Sequence, residues 1–100
     1  MNPEQIIEAV GNITGLPALA ITGRRRTDRI CKARFLAIAA IRHAYPAFTL
    51  QETADIIGRK DHGTVAHAML THRELLATDL AYLENAKRVV RTLFVKPQKS

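Results

Sequence analysis

Two helix-start signals with a glycine between them constrain this chain more than any other feature. Thr49-Leu50-Gln51-Glu52 fits a capping box, in which the Thr hydroxyl and the Glu carboxylate satisfy opposite backbone N–H groups. Leu50, Thr53, Ala54 and Ile57 then form the inner side of a short helix. Gly58 fits its C-terminal end, where left-handed backbone costs a glycine little. After a tight turn, Asp61 can cap a second helix over about residues 62–76. Helix, glycine-containing turn, helix across 49–76 is the spacing of a helix-turn-helix. An ordinary αα-hairpin has the same punctuation, so a function must come from the side chains it presents.

The remainder also reads as helix, and no run alternates as a strand would. Asn2-Pro3 starts a helix with the stripe Ile6, Ile7, Val10 and Ile13, ended by Gly11 or Gly15. Leu16 to Ile21 is a short apolar connector of about one helical turn. Thr27 or Asp28 caps a long helix to about His43, with Ile30, Ala33, Ala37, Ile38 and Ile41 inward and Pro46 stopping it. A last helix starts at Asp79, with Leu80, Leu83, Val90 and Leu93 as apolar positions. The predicted fold is all-α, five helical stretches in one domain over residues 1–96, with a flexible tail at 97–100.

Lys and Arg outnumber Asp and Glu by 15 to 9, a net charge of +6. Such an excess points to a polyanionic partner, nucleic acid before membrane. The charge is concentrated: residues 24–34 hold six basic side chains (Arg24, Arg25, Arg26, Arg29, Lys32, Arg34) against Asp28 alone. Cys31 is the single cysteine, which excludes an intramolecular disulfide and fits a buried, reduced residue of a cytosolic protein. The N-terminus lacks the regions of a signal peptide. The longest apolar run, Phe35 to Ile41, is far short of a membrane span.

On the second helix of the pair, Thr64, His67 and Thr71 share one face, with His62 and Gly63 at the tip. Val65, Met69 and Leu76 point elsewhere, into the core. Thr can meet a base edge or a thymine methyl, and neutral His can donate or accept. Asp61 suits capping, accepting from a cytosine amino group, or orienting a neighbouring cation. The loop Gly23 to Arg26 can follow phosphates or push one guanidinium into a narrow minor groove.

Gly58-Arg59-Lys60-Asp61-His62-Gly63-Thr64-Val65-Ala66-His67-Ala68 resembles the signature of the C-terminal DNA-binding domain of the bacterial replication initiator DnaA, usually close to G-G-R-D-H-[ST]-T-V-x-H-A. The resemblance covers about residues 5–95 and includes the basic loop, the Ala-rich helix and the capping box at the expected distance. It implies a Trp-repressor-like all-helical fold whose helix-turn-helix reads the major groove of a short DnaA box. It implies base contacts at Asp61, His62, Thr64 and His67, and Arg26 as the minor-groove arginine. Arg34 matches a DNA-contacting arginine, Arg25 and Lys60 are implied phosphate contacts, and Arg24, Lys32, Gly63 and Thr71 complete the auxiliary set. The implied partner is double-stranded DNA, bound by a monomer or a weak homodimer in the bacterial nucleoid, in replication-origin or transcriptional regulation.

The chain departs from that pattern at several places. Gly63 stands where the family usually has Thr or Ser, Arg59-Lys60 replaces Gly-Arg, Thr53-Ala54 replaces an Ile-Gly pair, and His72 falls at a commonly apolar position. An initiator also needs an ATPase module, for which this length has no room. Gly58-xxxx-Gly63-Thr64 lacks the essential P-loop lysine, so no ATP or other cofactor is expected. The chain is expected to be a stand-alone domain, encoded as its own small protein or cut from a larger initiator, and Met1 with its helix start favours the former. His62, His67 and His72 are spaced by five residues and diverge around a helix by about 140° per step, so no metal site is expected. No catalytic set is visible. The alternative is a protein-interaction module of the same fold with weak or non-specific DNA binding, which Gly63 favours and the intact loop, Thr64 and His67 oppose. RNA is disfavoured by the lack of an aromatic stacking platform.

Overall fold

The computed structural model describes residues 1–95, and the tail expected at 97–100 lies outside them. Six helices follow in order: α1 (Pro3–Thr14), α2 (Ala18–Thr22), α3 (Asp28–Ala44), α4 (Leu50–Ile56), α5 (His62–Thr78) and α6 (Leu80–Leu93). There is no strand among the described residues. The sixth element is α2, expected only as about one turn of apolar connector.

Local chemistry accounts for most helix ends. The Asn2 side chain accepts from the Gln5 N–H at 2.9 Å, and the Gln5 side chain accepts from the Asn2 N–H at 2.8 Å. Pro3 supplies the fixed φ of a first helical position. Gly15, not Gly11, closes α1. Thr27 rather than Asp28 caps α3, its hydroxyl accepting from Ile30 at 3.2 Å. The Thr49/Glu52 capping box forms with both bonds at 3.0 Å. Asp79 caps α6 by accepting from Tyr82 at 3.0 Å. These caps satisfy N–H groups that a helix leaves free, at roughly 1 kcal/mol each.

α3 is the central helix. Its buried residues Ala33, Leu36, Ala37, Ile38, Ala40 and Ile41 meet Ile6 and Val10 of α1, Ile21 of α2, Ala54 of α4 and Val65 of α5 in one core. Alanines at 33, 37 and 40 let neighbouring helices approach closely, while the isoleucines fill the space between. Each fully buried isoleucine contributes roughly 1.5–3 kcal/mol relative to exposure. Every buried side-chain nitrogen and oxygen among the described residues has a hydrogen-bond partner.

α6 starts at its Asp79 cap as expected and sorts its apolar positions between core and surface. Leu80 is 73% exposed and Val90 48% exposed, whereas Tyr82 and Val89 are buried. The inward stripe is Tyr82, Ala86, Val89 and Leu93, so of the apolar positions named from the sequence Leu93 packs on the core while Leu80 and Val90 face outward. The deciding residue is Tyr82, whose phenolic oxygen finds the His72 ring inside the protein. A tyrosine so satisfied brings more apolar area into the core than Leu80 could from the same helix.

Candidate nucleic-acid interface

The exposed side of α5 begins with short side chains held by a precise cap. Asp61 Oδ1 accepts from the Gly63 N–H at 2.8 Å, and the Asp61 carbonyl accepts from the Thr64 N–H at 3.1 Å. The His62 Nδ1 lies 3.8 Å from the same carboxylate. His62, Gly63 and His67 are exposed, while Thr64 and Thr71 are half-buried. His67 Nε2 is 3.4 Å from Thr71 Oγ1 one turn further on, so these two polar groups form a unit along the helix. Val65 and Ala68 bury the opposite side. A Cβ at Gly63 would sit 3.3 Å from Asp61 Oδ1, tight against the cap.

The turn before α5 is seated against the end of α2. Gly58 has φ +79°, and a Cβ there would lie 2.8 Å from the Thr22 carbonyl oxygen. Glycine is required twice over, for the left-handed backbone and for the approach. Lys60 is exposed, and its carbonyl accepts from Gln51 Nε2 at 3.1 Å, which ties the turn back to α4.

Arg24, Arg25 and Arg26 are all exposed in the loop between α2 and α3, with no ion pair among the described residues. What holds this loop is Arg34, only 5% exposed. Its Nε donates to the Ile21 carbonyl at 2.6 Å, and its Nη2 donates to Gly23 at 2.9 Å, Arg25 at 3.1 Å and Ala20 at 3.3 Å. A buried cation is tolerated because these carbonyls replace its water. Burial, and then the nearby Arg59 charge, lower the Arg34 pKa from the ordinary guanidinium value. Arg34, expected as an auxiliary DNA contact, is thus engaged inside the protein. Its position in the inward stripe Ile30–Arg34–Ile38–Ile41 was the available sign.

Lys32 is likewise occupied. Its Nζ lies 2.9 Å from both Asp28 and Asp79 carboxylates. Those bonds, to Asp79 first, raise its pKa and lower that of Asp79. Lys32 therefore staples the start of α3 to the start of α6 rather than standing as a free cation.

Arg59, missing from the expected contact set, donates from Nη2 to the Gly23 carbonyl at 2.6 Å. The remaining groups frame a concavity of about 330 Å³ between the loop, α3 and α5. Arg24, Arg26, Arg34, Arg59, Thr64 and His67 line it with Cys31, Phe35, Ile38 and Ala68, and no carboxylate is among them. Cys31, expected to be buried, is half-buried at this edge. No group of His, Cys, Asp or Glu among the described residues could hold a metal ion. No described helix is long and apolar enough to cross a membrane.

An all-helical fold with a capped helix-turn-helix beside an arginine-lined concavity defines a small helix-turn-helix domain of the nucleic-acid-binding kind. The family model described as the bacterial dnaA protein helix-turn-helix matches residues 3–71. The chain belongs to that family, and membership implies DNA binding. The matched stretch runs from α1 to Thr71 and takes in the loop, the turn and the exposed side of α5; α6 lies beyond it.

Proposed function

We propose that this protein binds double-stranded DNA sequence-specifically, with the start of α5 in the major groove and the Arg24–Arg26 loop in the adjacent minor groove or along the backbone. The observation that carries this is the acid-free arginine concavity, continuous with the exposed side of α5. Asp61, His62, Thr64 and His67 are the base-reading groups, and Arg26 is the minor-groove arginine. Arg24, Arg25 and Lys60 neutralise phosphates, with Gly63 and Thr71 shaping the reading face. Arg34 and Lys32 act through the framework they hold. The protein serves as a monomer or weak homodimer in replication-origin or transcriptional regulation at the nucleoid, without catalysis or ATP.

Phosphate contacts supply affinity and orientation, and base contacts supply preference. The test compares a DnaA-box duplex with a shuffled one of equal composition at ~150 mM salt. Preference for the box of tenfold or more, about 1.4 kcal/mol, is expected. Equal but salt-sensitive binding points to a different preferred site and calls for unbiased selection from random duplexes. Affinity that barely changes between ~50 and ~200 mM salt removes phosphate neutralisation and returns the protein to the interaction-module reading.

A further inference from the structure

Arg59 is one of the departures from the family signature, and it joins two parts of the interface that lie far apart in sequence. Its Nη2 donates to the Gly23 carbonyl at 2.6 Å across 36 residues. Its own backbone N–H donates to the Ala54 carbonyl at 2.8 Å, which fixes it to the helix-turn-helix. The Gly23 carbonyl also accepts from Arg34 at 2.9 Å. A carbonyl oxygen has two lone pairs, so both bonds can be made at once. The turn meets the same segment a second time, where Gly58 closes on Thr22. Two guanidinium groups on one oxygen repel each other, and no carboxylate lines the concavity they share.

We propose that Arg59 is a positioning residue for DNA reading: by holding the Gly23 carbonyl it locks the Arg24–Arg26 loop at a fixed offset from the start of α5. The inference rests on the DNA-binding role above. Three adjacent exposed arginines repel one another, and without Arg59 the loop is tied only to α3, through the Arg34 bonds to Gly23 and Arg25, and not to the reading helix. With Arg59 in place the loop is also tied to the reading helix. The two contacts then meet one duplex in register without ordering the loop at each encounter, which is where preorganisation raises affinity and selectivity. A phosphate contact at Arg59 would act differently, weakening all duplexes alike.

Arg59→Met tests this, because it keeps an apolar stem and removes both the donor and the charge. Backbone order of residues 24–26 is measured by NMR relaxation in the free protein, together with affinity for a selected duplex and a shuffled one across a salt series. The variant is expected to melt like the parent, and a variant that fails to do so is replaced by Arg59→Ala for the same measurements. The order parameters of the loop are expected to fall below about 0.6 from the range of rigid backbone near 0.85. Discrimination between the duplexes is expected to drop at least fivefold, and Arg26→Ala, costly in the parent, is expected to matter little in the Arg59→Met background. An unchanged loop overturns the proposal. So does a uniform loss on both duplexes with the salt slope reduced by the share of one phosphate, about 0.9. If the parent itself prefers no duplex in selection, the base-reading role fails, and loop order alone then decides whether Arg59 is the lock.

Discussion

The His72 Nδ1 lies 2.6 Å from the phenolic oxygen of Tyr82, joining α5 to α6 by a hydrogen bond inside the protein. Burial, and then Arg73, lower the His72 pKa from its ordinary 6.5, and burial raises that of Tyr82. Both shifts favour the uncharged forms of the two rings, between which one proton is shared in the hydrogen bond. As the pH falls below the unfolded value, the unfolded chain takes up a proton that the folded one resists. The stabilisation is present above about pH 6.5 and is lost as the pH falls from there towards the lower folded pKa. Urea unfolding at pH 7.5 and 5.5 is expected to show lower stability at the acid end. His72→Phe is expected to reduce that difference.

Arg34→Met is expected to lower stability by about 3 kcal/mol, because it takes the guanidinium donor from the Ala20, Ile21 and Arg25 carbonyls, while Gly23 keeps Arg59. Denaturant unfolding measures it. A variant as stable as the parent but weak on DNA would place Arg34 on the duplex instead.

Lys32→Ala and Arg25→Ala separate an occupied cation from a free one. Lys32 is held by two carboxylates, and Arg25 by none. Arg25→Ala is expected to reduce the slope of log affinity against log salt by about 0.9, and Lys32→Ala to leave it nearly unchanged. Titrations of one duplex over a salt series give both values.

His67→Ala is expected to cost about 1–3 kcal/mol on the selected duplex and less on random DNA. Its partner Thr71 remains in place to hold the local helix. Equal losses on the two duplexes would remove base reading from His67.

Gly63→Thr adds a side chain where a Cβ would stand 3.3 Å from the Asp61 carboxylate, an exposed group with room to turn. The fold is expected to survive, and site selection is expected to move towards the usual DnaA box. An unshifted selection would mean that position 63 does not face the bases.

What could be read from the residues was what depends on near neighbours. The Thr49/Glu52 box, the cap at Asp61 and the turn at Gly58 are decided within a few positions, and all three form in the structure. The inward side of α6 is not decided by its apolar positions, because Leu80 and Val90 compete with Tyr82 and Val89 for it. That competition is settled by His72, on another helix. Arg34 is implied as a DNA contact by the family resemblance and Lys32 by the basic cluster, and neither sign reports the carbonyls or carboxylates that folding brings to them. The Arg59 link spans 36 residues and has no local signature.

The carbonyl cage around Arg34 also affects what a polyanion would meet on approach. The last carbonyls of a helix carry partial negative charge, and those of α2 lie where the loop begins. Arg34 covers the Ala20 and Ile21 oxygens from inside. The concavity beside α5 is therefore lined by cations and no carboxylate, with the repelling end of α2 insulated behind the Arg34 guanidinium.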